Sequence, residues 1–240
     1  MRIRTYGAVT QCSLFASWFP VNCYLVEEDD SVTLVDAALA PAAAGIEAAI
    51  KRIGKPLARI ALTHAHDDHV GALDRLKRAF PAAEVIVSAR EARLLSGDKS
   101  LEPSEARAPI KGGPPKSLAT RPDRTVEDGD RIGSLLVVAT PGHTPGHVAF
   151  LDTRTGALLA GDALQTRGRT AVAGDVVWSF PFPALATWHA PTALESAKKL
   201  AALRPTLLGV GHGDALERPE AAMAHAIDRA YRAGRGAAHA

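Results

Sequence analysis

The densest chemistry in this 240-residue chain is the run His64-Ala65-His66-Asp67-Asp68-His69. Imidazoles and carboxylates crowded behind an apolar strand cannot all be packed as core, and together they are the donors that suit zinc, iron, manganese or nickel. In a tight turn, alternate residues face one side, so His64 and His66 can pinch one ion while Asp68 and His69 face a neighbouring position. Two later histidines arrive in the same way. Thr140-Pro141-Gly142-His143 and Val210-Gly211-His212 each follow an apolar strand, as Leu62-Thr63-His64 does. Strand ends in α/β folds project side chains from a rigid sheet into a crevice, so three such ends imply one shared site.

The elements that must hold this site read as one α/β domain over residues 1–240. Asn22 to Val26 and Ser31 to Val35 are β-prone runs around a polar turn. A helix carries Ile46, Ala49, Ile50 and Ile53 on one face and stops at Gly54 and Pro56. Helical spacing resumes from Val70 through Leu73 and Lys77 to Phe80, and Ala83 to Val87 is a strand. Leu135 to Ala139, Val148 to Leu151 and Ala157 to Ala160 are further strands, the last two forming a hairpin. A helix through Leu194 and Ala201, a strand from Thr206 to Val210 and a helix from Pro219 to about Ala233 complete the chain. Residues 97–122 and 163–190 read as irregular excursions, the first rich in glycine and proline.

Hydrophobic residues make up 47% and charged residues 22%, with a net charge of +2, so no basic nucleic-acid track is expected. Cys12 and Cys23 are expected to be reduced thiols. The N-terminal residues lack the apolar stretch of an export signal and no membrane span is expected, which points to a cytoplasmic protein.

The motif set resembles the metallo-β-lactamase superfamily. His64 to His69 matches its His-x-His-x-Asp-His signature, Pro141 to His147 its next motif, Gly161-Asp162 its aspartate motif and Gly211-His212-Gly213 its last. The resemblance implies a four-layer αββα sandwich, two mixed sheets with helices on their outer faces. It implies that His64, His66 and His143 bind one divalent ion, that Asp68, His69 and His212 bind a second, and that Asp162 bridges them. Zinc is the expected metal, with iron or manganese as substitutes, and Asp68 and Asp162 are the catalytic candidates. The implied reaction is hydrolysis of a small ester, lactone or thioester by a metal-bridging hydroxide, within the branch of glutathione thioesterases (glyoxalase II) and lactonases. The competing implication is a mononuclear iron enzyme like the persulfide dioxygenases. A small-molecule substrate is the expected partner, with a homodimer as the form of self-association and neither nucleic acid nor membrane involved.

Other residues carry weaker expectations. Asp36 is expected to support a ligand histidine, His147 to hydrogen-bond within the wall, and Asp67 to shape the turn. His189 is a candidate for touching substrate, His225 and His239 are expected on the surface, and Trp178, Phe180, Phe182 and Trp188 are candidates for an apolar pocket. No arginine-lysine clamp is expected beside the ligands.

Overall fold

The computed structural model describes residues 1–237; His239 lies outside the described residues. Seven strands form the first sheet in chain order: β1 (Arg2–Tyr6), β2 (Val9–Leu14), β3 (Val21–Glu27), β4 (Val32–Val35), β5 (Leu57–Ala61), β6 (Glu84–Ser88) and β7 (Arg124–Val126). β1 to β4 pair antiparallel and β4 to β7 parallel. The parallel crossovers carry α1 (Ala43–Ile53), α2 (Asp67–Val70), α3 (Leu73–Ala79) and α4 (Ala89–Leu95). The second sheet holds β8 (Arg131–Ile132), β9 (Leu135–Ala139), β10 (Val148–Asp152) and β11 (Ala157–Leu159). Beyond a small ribbon of β12 (Leu164–Gln165) and β13 (Ala171–Val172), β14 (Leu207–Gly209) and β15 (Leu216–Glu217) complete that second sheet. Three helices, α5 (Phe182–Ala186), α6 (Ala190–Ala202) and α7 (Glu220–Ala237), follow the ribbon or end the chain.

Strand alternation explains the layering, because successive side chains point to opposite faces. In β3, Cys23 and Leu25 join the core under α1 and α3, while Tyr24 and Val26 join the core between the sheets. In β10, Val148 and Phe150 face that same inter-sheet core, and Ala149 faces the core that includes Leu200 and Met223 of α6 and α7. Every layer is therefore apolar on the faces it buries, which gives the αββα sandwich the motifs imply. A fully buried side chain such as Phe150 contributes about 1.5–3 kcal/mol relative to exposure.

The two sheets are laced together at the end where the histidines emerge. Val148 N–H donates to Thr63 O (3.0 Å), and Asn22 N–H to Gly211 O (2.9 Å). Tyr24 Oη donates to Val210 O (2.8 Å) and accepts from Val210 N–H (2.7 Å), all of it buried. These bonds register the end of β5 against the start of β10, and β3 against the end of β14.

Several elements differ from the sequence expectation. β1, β2 and α4 lie outside the runs that periodicity marks, and the 163–190 excursion contains β12, β13 and α5. The helix after the histidine cluster is two pieces, α2 and α3, and His66 caps the first of them. Cys12 and Cys23 are both free and buried, directly opposite one another on β2 and β3. Among the described residues, no helix is long and apolar enough to cross a membrane.

Candidate metal centre

Each histidine of the cluster has one ring nitrogen tied to the fold, and this fixes what the other presents. Asp36, at the end of β4, accepts His69 Nδ1–H on Oδ2 (2.8 Å) and takes Thr63 N–H and Oγ1–H at 2.8 Å each. Its own backbone is left-handed, with φ 62°, a conformation aspartate tolerates better than most residues. Thr63 Oγ1, its proton given to Asp36, accepts His64 Nδ1–H at 3.0 Å. Thr187 does the same for His143 Nδ1 (3.1 Å) while donating to Pro183 O (2.8 Å). His212 Nδ1–H donates to Pro20 O at 2.7 Å. His66 is turned the other way: its Nε2–H donates to Lys111 O at 3.1 Å. As neutral imidazoles, four histidines thus present a bare Nε2 and His66 a bare Nδ1. Metal-binding imidazoles are oriented by this same arrangement.

The bare atoms converge. One nitrogen from each of His64, His66 and His143 falls within a 4.8 Å group, and so do donor atoms of Asp68, His69 and His212. His64, His69 and Asp162 form a third such group between them. Asp162 lies 3.4 Å from His69 Nε2, 3.4 Å from His143 Nε2 and 3.2 Å from His212 Nε2. His64 Nε2, His69 Nε2 and Asp162 Oδ1 are buried without a hydrogen-bond partner, an expensive arrangement unless something positive meets them. His66 Nδ1 and His143 Nε2 face each other at 3.0 Å with both their hydrogens placed elsewhere. Lone pairs brought together in this way fit divalent cations and little else. Gly211 is obligatory here, since a Cβ would collide with Asp162 Oδ1 and sit 2.7 Å from His69 Cε1.

Electrostatics agree with that fit. Burial disfavours the His212 imidazolium, yet Asp162 and Asp68 outweigh it and push its pKa up to about 10. His69 is likewise raised despite its burial, by Asp162, Asp36 and Asp68. Burial dominates at His64 and His143 and holds both well below the usual imidazole range. The His64–His66–His143 group is therefore a set of neutral donors, and the Asp68–His69–His212 group is a carboxylate-rich pocket that draws positive charge.

Two supports complete the centre. His147 uses both nitrogens, pairing with Thr140 Oγ1 (2.8 Å) and accepting Asp162 N–H (3.2 Å), so it braces Asp162. Burial lowers its pKa to about 3, which keeps that Nε2 an acceptor. Glu91, in the first turn of α4, is fully buried and was not legible in the sequence. Its Oε2 accepts Ala65 N–H (2.8 Å), and its Oε1 accepts Thr144 Oγ1–H (2.6 Å) and Gly146 N–H (2.9 Å). One carboxylate thereby clamps the loop of His64 and His66 to the loop of His143. The only sequence signal was Ser88, which caps α4 three residues before Glu91.

The centre opens on a cleft of about 580 Å³ lined by Phe19, Leu39, Phe182 and Leu185 together with His66, Asp68 and Lys111. Only Phe182 of the four aromatic candidates lines it. Trp178 is 89% exposed, Phe180 packs beneath Phe182, and Trp188 is buried with Nε1–H on Ala108 O (3.0 Å). Phe19, from the β2–β3 loop, was not anticipated, and its ring lies 6.1 Å from that of His212. His189 caps α6 and does not line the cleft, and His225 is exposed on α7. Asp67 is exposed at the start of α2, its N–H on Gly113 O (3.0 Å). Lys111 also lines the cleft, a basic residue that the sequence reading does not single out.

Comparison with known proteins agrees with this architecture. A model described as the metallo-beta-lactamase superfamily matches residues 16–212. The protein YobT of Bacillus subtilis (strain 168) is 53% identical over 96% of this chain and 99% of its own length. The probable metallo-hydrolase YflN of the same organism is 31% identical over 80% of each chain. A hydroxyacylglutathione hydrolase of Rhodopseudomonas palustris is 36% identical over 60% of this chain and 48% of its own. Among solved structures, TTHA1623 in a di-iron-bound form has a TM-score of 0.62 and 29% identity, over 88% of this chain and 95% of that one. With a metallo-hydrolase among its relatives and histidine and aspartate donors gathered for divalent metal, the chain is a metal-dependent hydrolase. It belongs to the metallo-β-lactamase superfamily.

Proposed function

We propose that the chain hydrolyses a small ester, lactone or thioester at a dinuclear metal centre. The observation that carries this reading is the convergence of seven donor side chains, each with its bare atom turned inward, in two groups joined through Asp162. His64, His66 and His143 would hold one ion, Asp68, His69 and His212 the other, and Asp162 would touch both. Ions held there supply a water acidified to near-neutral pKa and an electrophile for the acyl oxygen. The chain's own residues do the rest. Asp162 takes the proton that the attacking water loses and delivers it to the leaving oxygen or sulfur. The water oxygen joins the acyl carbon as the bond to that leaving atom breaks. Phe19, Phe182 and Leu185 form a wall that receives an apolar acyl group and displaces water from it.

A mononuclear iron dioxygenase needs only a few of these donors and would strand the rest as buried, unpaired groups, which favours hydrolysis. The test is a panel of thioesters, lactones and phosphodiesters given to protein loaded with zinc, manganese or iron, with oxygen uptake followed on a persulfide. Hydrolysis of an acyl substrate without oxygen uptake is the expected result. Oxygen consumption at one iron per chain, with every ester intact, would overturn the reading.

A further inference from the structure

We propose that a second, polar cavity behind the β2–β3 loop is a phosphate-binding site built on Arg2 and Arg167, taking inorganic phosphate or the phosphate group of a small ester. The cavity is about 320 Å³, and Arg2, Ser17, Pro20, Thr166, Arg167 and Asp214 are among the residues that line it. Arg2 and Arg4 alternate on β1, so their side chains leave the same face of the strand. Both reach Asp214: Arg4 Nη1 lies 2.8 Å from Oδ2, and Arg2 Nη2 pairs with Oδ1. Among the described residues lining the cavity, Asp214 is the one acid. Arg167 is anchored differently. Its Nη2–H donates to Ser17 O (2.8 Å), and no carboxylate among the described residues pairs with it. Two guanidiniums thus line the cavity, and a third shares its single carboxylate. Arg2 is also short of acceptors, since its Nε is buried with no hydrogen-bond partner, which is costly for a charged donor. A planar guanidinium fork matches two oxygens of a phosphate, and the surplus positive charge matches its dianion.

The backbone around this cavity is fixed to His212 from two directions. Thr166 N–H and Arg167 N–H both donate to His212 O (2.9 and 3.2 Å), and Thr166 Oγ1–H donates to Asp214 O (2.7 Å). Gly213 has φ 111°, and a Cβ there would collide with Thr166 Oγ1 and stand 2.5 Å from Arg167 N. Glycine is what lets the two runs pack so closely. From the other direction comes Pro20, whose carbonyl accepts His212 Nδ1–H (2.7 Å) and which lines the cavity. Its neighbour Phe19 lines the metal cleft instead, so one loop borders both spaces. A phosphate held by Arg2 and Arg167 ties β1 to residues 166–168, and the bond from Arg167 to Ser17 O passes that restraint to the loop.

Inorganic phosphate, titrated calorimetrically into zinc-loaded protein at constant ionic strength, should bind, and Arg2→Met and Arg167→Met should each weaken it about tenfold. Arg167→Lys should keep part of the affinity, as a point charge without the fork. Arg2 also tethers β1, so the Arg167 variants decide the matter if Arg2→Met is unstable. Glycerol 3-phosphate run in parallel separates the two sources: tighter binding than phosphate assigns the site to an ester, and equal or weaker binding to the free anion. Amide hydrogen exchange at residues 15–19 should slow when phosphate is added to the wild type and stay unchanged in Arg167→Met. Phosphate that binds both methionine variants as tightly as the wild type would be sitting on the metal. That result, or no binding at all, would overturn the proposal.

Discussion

Asp162→Ala is expected to lower the hydrolytic rate by at least about a thousandfold and to release metal from the protein. Asp162 lies within 3.4 Å of histidines from both donor groups, and its Oδ1 has no hydrogen-bond partner. On the proposed mechanism, removing it takes away a shared ligand and the proton carrier together. Its backbone N–H stays on His147 Nε2, so the loop after β11 keeps its path and the effect reads on chemistry. Elemental analysis beside the rate checks the prediction. A variant with full metal content and wild-type rate would show that Asp162 has neither role.

Glu91→Gln is expected to separate the two halves of the centre. The clamp receives three donors, from Ala65, Thr144 and Gly146, which a carboxylate satisfies and an amide cannot, because the amide's own N–H₂ must face one of them. A buried donor left unmet costs about 1–3 kcal/mol and lets the two loops drift. The loops at stake carry His64, His66 and His143, whereas His69 is held by Asp36 and His212 by the Pro20 carbonyl. Affinity at the first group should fall about 10- to 100-fold while the second is unchanged, giving a biphasic curve on titration with a chelator. Uniform weakening of both ions would contradict this. Thr144→Val, which removes one of the three donors and keeps the shape, should move the same phase in the same direction.

The clamp also carries a pH signature. Burial is the largest influence on Glu91, and despite its hydrogen bonds it raises the pKa from 4.5 to about 7. Between those values the folded protein holds a proton that the unfolded chain has lost. This contribution to stability is therefore complete below about 4.5 and disappears as pH rises through about 7. Glu91→Gln lacks this slope, and unfolding of metal-free protein across that range should show the difference.

What the sequence revealed and what it hid follow from how local each signal is. His64 to His69 are contiguous, and His143 and His212 each follow an apolar strand closely, so residue spacing alone brings them to notice. The pairing of β3 with β4 and of β10 with β11 is similarly local, set by alternation around short polar turns. Glu91 is different. Its partners lie 26 to 55 residues away, and α4 has seven residues with arginines on either side of Glu91, so no apolar stripe marks it. The cleft wall misleads in another way. Trp178 and Trp188 look like the natural pocket lining, but one is thrown outward and the other turned into the packing, while Phe19 arrives from a loop about 160 residues before Phe182. Composition names the aromatic residues without saying which side of a loop they occupy. Lys111 is hidden for the same reason, because its proximity to His66 is made by a glycine turn 45 residues downstream.

On the proposed reading, hydrolysis depends on two ions held by these seven residues. It is tested most directly by stripping the protein of metal and following hydrolysis of a responsive thioester or lactone as zinc is returned in known increments. Activity should reach its plateau at two equivalents per chain, with two anomalous-scattering peaks flanking Asp162 in crystals of the loaded protein. A plateau at one equivalent with a single peak, or hydrolysis that persists after both ions are removed, would contradict it.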